Sequence, residues 1–129
     1  MKIAETPRQN AVDAPTLADL RNSSDCVKLL NTVGRISFMG EQSLRVMELN
    51  DMSEVVGKCW WEFWPNDQQA MIKSRFDAAL AGDVQQFKTT RRMPSGKLKE
   101  WSITLSPVPG VNGVSTSVLV LSRDVTPAP

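Results

Sequence analysis

From Trp101 to Ser106 the chain alternates without a fault: Trp101, Ile103 and Leu105 are large and apolar, while Ser102, Thr104 and Ser106 are small and polar. Successive side chains of a strand point to opposite faces, so this stretch reads as a strand with one face buried and one not. A little further on, Val118, Leu119, Val120 and Leu121 are apolar in succession. A strand apolar on both faces belongs near the centre of a sheet and is covered on both sides. A chain with these two segments has to build a sheet around them and lay apolar cover across it.

The remaining elements follow from local signals. Cys26–Leu30 reads as a strand, and a turn at Asn31-Thr32-Val33-Gly34 leads to a second, Arg35–Met39, in which Ile36 and Phe38 alternate with polar neighbours. The pattern turns helical over Gln42–Leu49 and again over Asp51–Val56, where Asp51 can cap the free amides that follow. Trp60–Trp64 forms a third short turn, closed by Pro65. The longest helix, capped by Asn66 or Asp67, runs to about Leu80, with Met71, Ile72, Phe76, Ala79 and Leu80 as its apolar stripe. Val84–Met93 and Lys97–Val108 are strands joined by the turn Pro94-Ser95-Gly96, and Ser115–Arg123 is the last. Near the N-terminus, Pro15 marks the start of a helix over residues 14–21 that brings Leu17 and Leu20 onto one face. Strands grouped at both ends around a helical middle give an α+β domain whose terminal strands pair in one antiparallel sheet.

Composition excludes more than it suggests. With 15 basic and 14 acidic residues the chain has no electrostatic footprint for nucleic acid or anionic lipid. Lys88, Arg91 and Arg92 read as a solvated face. There is no His, and Cys26 and Cys59 are the only cysteines, so the usual four-ligand zinc sites and the His-dependent catalytic triads cannot form. Glu41, Glu48, Glu54 and Glu62 show no spacing that implies acid–base work. The residues Met1–Glu5 hold no apolar run for a signal peptide, and no stretch approaches the ~18 apolar residues of a membrane span, so the expected compartment is the cytoplasm.

Four segments, in this order, resemble the PAS family: Gly34–Met39; Val56-Gly57-Lys58-Cys59-Trp60-Trp61-Glu62-Phe63-Trp64-Pro65; Gly96 through Trp101 to Ser106-Pro107-Val108; and Ser122-Arg123-Asp124-Val125-Thr126. The resemblance covers roughly Ser23 to Thr126. It implies a five-stranded antiparallel sheet with short helices on one face, a cavity between them and an N-terminal flanking helix. The implied division is a flexible N-terminus and flanking helix over 1–22, the PAS domain over 23–126, and a tail over 127–129. The family implies a non-catalytic sensor, of the kind found in histidine kinases and related two-component signalling proteins, relaying its signal to an effector domain or kinase. Three departures stand out. Gly40 occupies the place where the family usually has an Asn linking strand end to helix. Trp60 stands where light-sensing relatives place a reactive Cys, with Cys59 one position early, so its thiol would point about 100° away on a helical turn. Pro127-Ala128-Pro129 follows the last motif where relatives continue into a signalling helix, which leaves an excised domain and a stand-alone protein both open.

Two readings of function remain from the residues: a sensor that holds a small ligand, and an interaction and dimerisation domain with a filled core. For the first, the interior lining is expected from Phe38, Met47, Trp64, Ile72, Phe76, Phe87, Thr89, Trp101 and Ile103, joined in the core by Ile36, Leu44, Val118 and Val120. Polar groups in reach are Thr89, the indole nitrogens and one Arg at most, with Arg91 and Arg92 expected at the surface. Such walls favour a small apolar or aromatic ligand over a di- or tricarboxylate. Met39, Met47 and Met71 are read as core filling rather than haem ligands, and no cofactor, haem or flavin, is expected. For the second, Leu17 and Leu20 would cover an outer patch of Val27, Leu29, Leu119 and Leu121, the expected homodimer interface.

Overall fold

The computed structural model describes residues 26–127; the expected helix over 14–21, with Leu17 and Leu20, lies outside the described residues. Five strands form one antiparallel sheet: Cys26–Leu30 (β1), Ile36–Met39 (β2), Gln85–Arg92 (β3), Leu98–Pro109 (β4) and Ser115–Asp124 (β5). Their order is β2-β1-β5-β4-β3, so the first and last strands are neighbours and β5 is central. The apolar run in β5 has that position as its cause. Between the two edge strands the chain crosses one face of the sheet as helix Glu41–Val46 (α1), 3₁₀ turns Met52–Glu54 and Trp60–Phe63, and helix Asn66–Leu80 (α2). No helix among the described residues is long and apolar enough to cross a membrane.

The core lies between this helical layer and the inner face of the sheet. Trp101, Ile103 and Leu105 of β4 and Val118 and Val120 of β5 are all buried there, facing Ile72, Phe76 and Ala79 of α2. Met71, expected in the helix stripe, is exposed, because it lies one position before Ile72 and so points about 100° away from it. Pro65 is the N-cap of α2, with no side-chain capping bond from Asn66 or Asp67, which are the first two helical residues.

The β1–β2 hairpin departs from simple alternation. Leu29 pairs with Phe38 but Leu30 pairs with Ile36, so Ser37 is an extra residue on β2. A bulge of this kind shifts the side-chain phase by one. Ile36 and Met39 both point inward and are buried, while Phe38 shares the outer face with Leu29 and is 51% exposed. Phe38 is therefore not an interior residue. Leu44, also expected inside, is half-buried at the rim of α1, where Ser43 instead points inward.

Candidate functional site

The hollow part of the interior begins at a turn. Asn31 Oδ1 accepts bonds from the amides of Val33 and Arg35, each at 3.0 Å, and Gly34 completes the turn at φ 85°. The Trp61 ring lies directly on Gly34: a Cβ there would come within 2.2 Å of Cη2. The Gly34 carbonyl also accepts the Trp60 amide at 3.0 Å. That close approach seats the Trp60–Phe63 turn against the hairpin, so Trp60 goes inward. Trp60 and Trp64 meet edge to face, with ring centroids 4.8 Å apart, and both are buried as sequence spacing indicates.

Gly40 is the N-cap of α1 and makes no side-chain bond. The link between strand and helix is made instead by Ser43, whose Oγ accepts the Val27 amide at 2.9 Å. The far end of α1 turns at Glu48, which has φ 58°. Its carboxylate accepts the Ser95 amide at 2.8 Å and the Ser95 hydroxyl at 3.0 Å, tying α1 to the β3–β4 turn. The Ser95 amide above all, opposed by desolvation and helped by the Ser95 hydroxyl and the fields of Lys99 and Lys97, holds this carboxyl below its ordinary value.

Among the described residues, two hollows lie between the layers, each with a volume of ≈ 10 Å³, about the room one water molecule needs. Lys28, Met47, Trp64 and Arg91 line both. The first is completed by Ile36, Met39, Leu49, Val55, Trp60 and Phe63; the second by Trp101, Ile103 and Ser122. Of the residues expected to line the interior, Met47, Trp64, Trp101 and Ile103 do so. Ile72, Phe76, Phe87 and Thr89 are buried but border neither hollow. They belong to the packing of α2: Phe76 meets Trp61 at 5.5 Å, the Arg75 guanidinium sits 5.1 Å from the Phe87 ring, and the Thr89 hydroxyl bonds Gln68.

The polar inventory is richer than the sequence reading allowed. Lys28 is 3% exposed and stands mid-sheet on the inner face, between Met39 and Val120. Its ammonium donates to Cys26 Sγ at 2.7 Å. Arg91 is not a surface residue: it turns inward from β3, 3.9 Å from Met47 Sδ and 5.8 Å from the Trp64 ring centroid. Burial pushes its guanidinium below the ordinary value, opposed by the fields of Cys26 and Glu48. Arg92, the next residue, faces water and bonds the Gly96 carbonyl. The Nε1 atoms of Trp60, Trp64 and Trp101 are buried with no hydrogen-bond partner. Among the described residues the buried polar side chains are Lys28, Ser43, Thr89 and Ser122, so no carboxylate shares this interior.

A signal for Lys28 was present in the sequence. Placing Val27 and Leu29 on the outer face puts the residue between them inside. The same kind of signal pointed to Arg91: with Phe87 and Thr89 placed inside, alternation along the strand puts Arg91 on their face and Arg92 on the other.

Comparison with solved structures returns PAS domains at low sequence identity, which shows the fold. The PAS domain of a protein from Colwellia psychrerythraea superposes with a TM-score of 0.72 at 15% identity, over 94% of this chain and 98% of that one. The PAS domain of an HTR-like protein from Haloarcula marismortui gives 0.62 at 20% identity, over 96% and 100%. An RNA-binding light-oxygen-voltage receptor gives 0.67 at 17% identity, over 98% of this chain but 34% of the receptor. Comparison with curated proteins finds no match. A family profile described as the PAS fold matches residues 20–128. The four motifs, the strand order and the profile agree, and the chain belongs to the PAS-fold family, whose domains are general signalling and sensor modules.

Proposed function

We propose that this domain is a cytoplasmic, non-catalytic sensor whose signal is a small molecule taken up between the sheet and the helical layer, with occupancy relayed to a partner or effector domain. The observation that carries this reading is the set of three buried indole N–H groups without acceptors. A buried donor left unsatisfied costs about 1–3 kcal/mol, and three around one interior call for an explanation. A planar guest with acceptor atoms would satisfy them while its ring packs on Trp64 and Met47.

The hollows are water-sized, so a guest enters only if the helical layer moves outward. That layer is suited to moving: between β2 and α2 it consists of a six-residue helix and two 3₁₀ turns of three and four residues, short elements with few internal hydrogen bonds. Displacement of such a layer is what an effector could sense.

Native mass spectrometry of gently purified protein tests the proposal. A non-covalent adduct that is lost on denaturation is the expected result. A bare mass, together with indole N–H resonances unmoved by a small-molecule library, would leave a filled core and overturn it.

A second reading has its own support. Leu29, Leu119 and Leu121 are half-buried on the outer face, beside the exposed Phe38 and the buried Val27. This apolar half-face suits a homodimer, and light scattering of the full chain against a Leu119→Ser/Leu121→Ser variant would register its loss.

A further inference from the structure

Resting on the sensor reading, we infer that the ligand carries a carboxylate, held between Lys28 and Arg91, on an aromatic or otherwise planar apolar body. The argument begins with what burial of Lys28 costs. An ammonium taken out of water is penalised by several kcal/mol unless it is paired, and it has three donors to satisfy. Its partner here is the Cys26 sulfur, a weak acceptor. The ion pairs among the described residues, Lys73–Asp77 and Lys99–Asp124, lie elsewhere.

Arg91 reaches the same space on the same face from β3, the far edge strand. Both side chains border both hollows, and Arg91 lies 3.9 Å from Met47 Sδ, which borders both as well. Glu48, whose field reaches Arg91, is half-buried at the end of α1 and already bound to Ser95. Two cations therefore converge on an interior whose remaining free groups are indole donors. Apart from the Ser122 hydroxyl, which both donates and accepts, the polar groups offered there are donors, and none of the described ones is an anion. A carboxylate is the smallest common group that accepts from all of them, and Arg is well suited to grip it through two bonds. The surrounding rings and methionines set the body of the ligand, which leaves room for a single acid group.

Calorimetric titration of the full chain with benzoate, benzamide and benzylamine, three guests of nearly equal shape, reads the charge preference directly. Benzoate is expected to bind at least about tenfold more tightly than benzamide, the value of one charge-assisted hydrogen bond, and benzylamine not at all. Lys28→Met and Arg91→Met should each lose that same factor for benzoate while leaving benzamide unchanged, and Lys88→Met, on the solvent face, should change neither. Lys28→Met should also melt no lower than the parent, because it removes a buried charge and keeps the volume. Benzamide binding as tightly as benzoate, or benzoate binding unaffected by both variants, would overturn the carboxylate and leave the sensor reading standing. If none of the three binds, the mass-spectrometric adduct decides: a carboxylic acid supports the inference and a neutral compound overturns it. Its absence ends both.

Discussion

The two faces of the same sheet are built by opposite rules. On the inner face, β4 and β5 contribute Trp101, Ile103, Leu105, Val118 and Val120, all essentially inaccessible, and the polar exceptions are few. On the outer face the same strands contribute Ser102, Thr104, Ser106, Leu119 and Leu121, all half-buried, grading from apolar beside β1 to polar toward β3. The inner face carries the stability and also the groups that fit a ligand. The outer face carries little of either, and its apolar half is suited to another surface. The lesson is that Lys28 stands out because of the face it occupies: Lys88, on the outer side of β3, is exposed and needs no explanation.

Three measurements would break or sharpen this contrast. The largest effect is expected from Trp101→Ala, which should lower unfolding free energy in urea by about 3–5 kcal/mol. Thr104→Ala, three residues along the same strand but on the other face, should stay within about 0.5 kcal/mol. Comparable losses at both positions would mean that the outer face is sealed as firmly as the inner one.

The hairpin gives the next test, because the bulge at Ser37 reverses what alternation implies. Ile36→Ala should cost about 2–4 kcal/mol, and Phe38→Ala less than about 1 kcal/mol, since Phe38 is already half in water. A large loss at Phe38 would show that its ring packs inward and that the bulge is misplaced.

The smallest effect belongs to the charged margin of the sheet. Asp124 meets Lys99 at 3.3 Å and accepts the Thr126 amide at 3.0 Å. Desolvation pushes its carboxyl up, but the Thr126 hydroxyl and amide and the Lys99 ammonium outweigh that and hold it below its ordinary value. Its contribution is then fully present above the ordinary carboxylate range and is lost as pH falls through the lowered value. For a pair this exposed the change should not exceed about 1 kcal/mol. Chemical denaturation at pH 6 and pH 2.5, with Thr126→Ala beside the parent, should show a smaller pH-dependent loss in the variant; an identical loss in both would remove Asp124 as its source.

Much of this was legible beforehand, for reasons that lie in local periodicity. The alternation of β4, the two-sided run of β5, the turn at Pro94-Ser95-Gly96 and the Gly-terminated α2 all appear where the chain's own pattern puts them, to within one or two residues. So does the burial of Trp60 and Trp64. The errors cluster where a single residue changes the phase. Ser37 is the extra residue of a bulge, and nothing in Ile-Ser-Phe-Met distinguishes a bulged strand from a regular one. The inward turn of Arg91 was legible from Phe87 and Thr89 on the same strand face, and the pairing of Thr89 with Trp101 and Arg91 with Lys99 agrees with it.

The sequence by itself determined the class of fold, because hydrophobic period is a local property that each segment carries independently of its neighbours. It also determined the absence of the His-dependent chemistries, because the residues are missing. Only the tertiary structure decided the character of the interior. Lys28, Arg91 and the three indoles are up to seventy-three residues apart in the chain, and each alone is an ordinary surface cation or core aromatic. Their meaning comes from being brought together behind one helical layer, where low polarity makes an unpaired donor costly and a matching acceptor valuable.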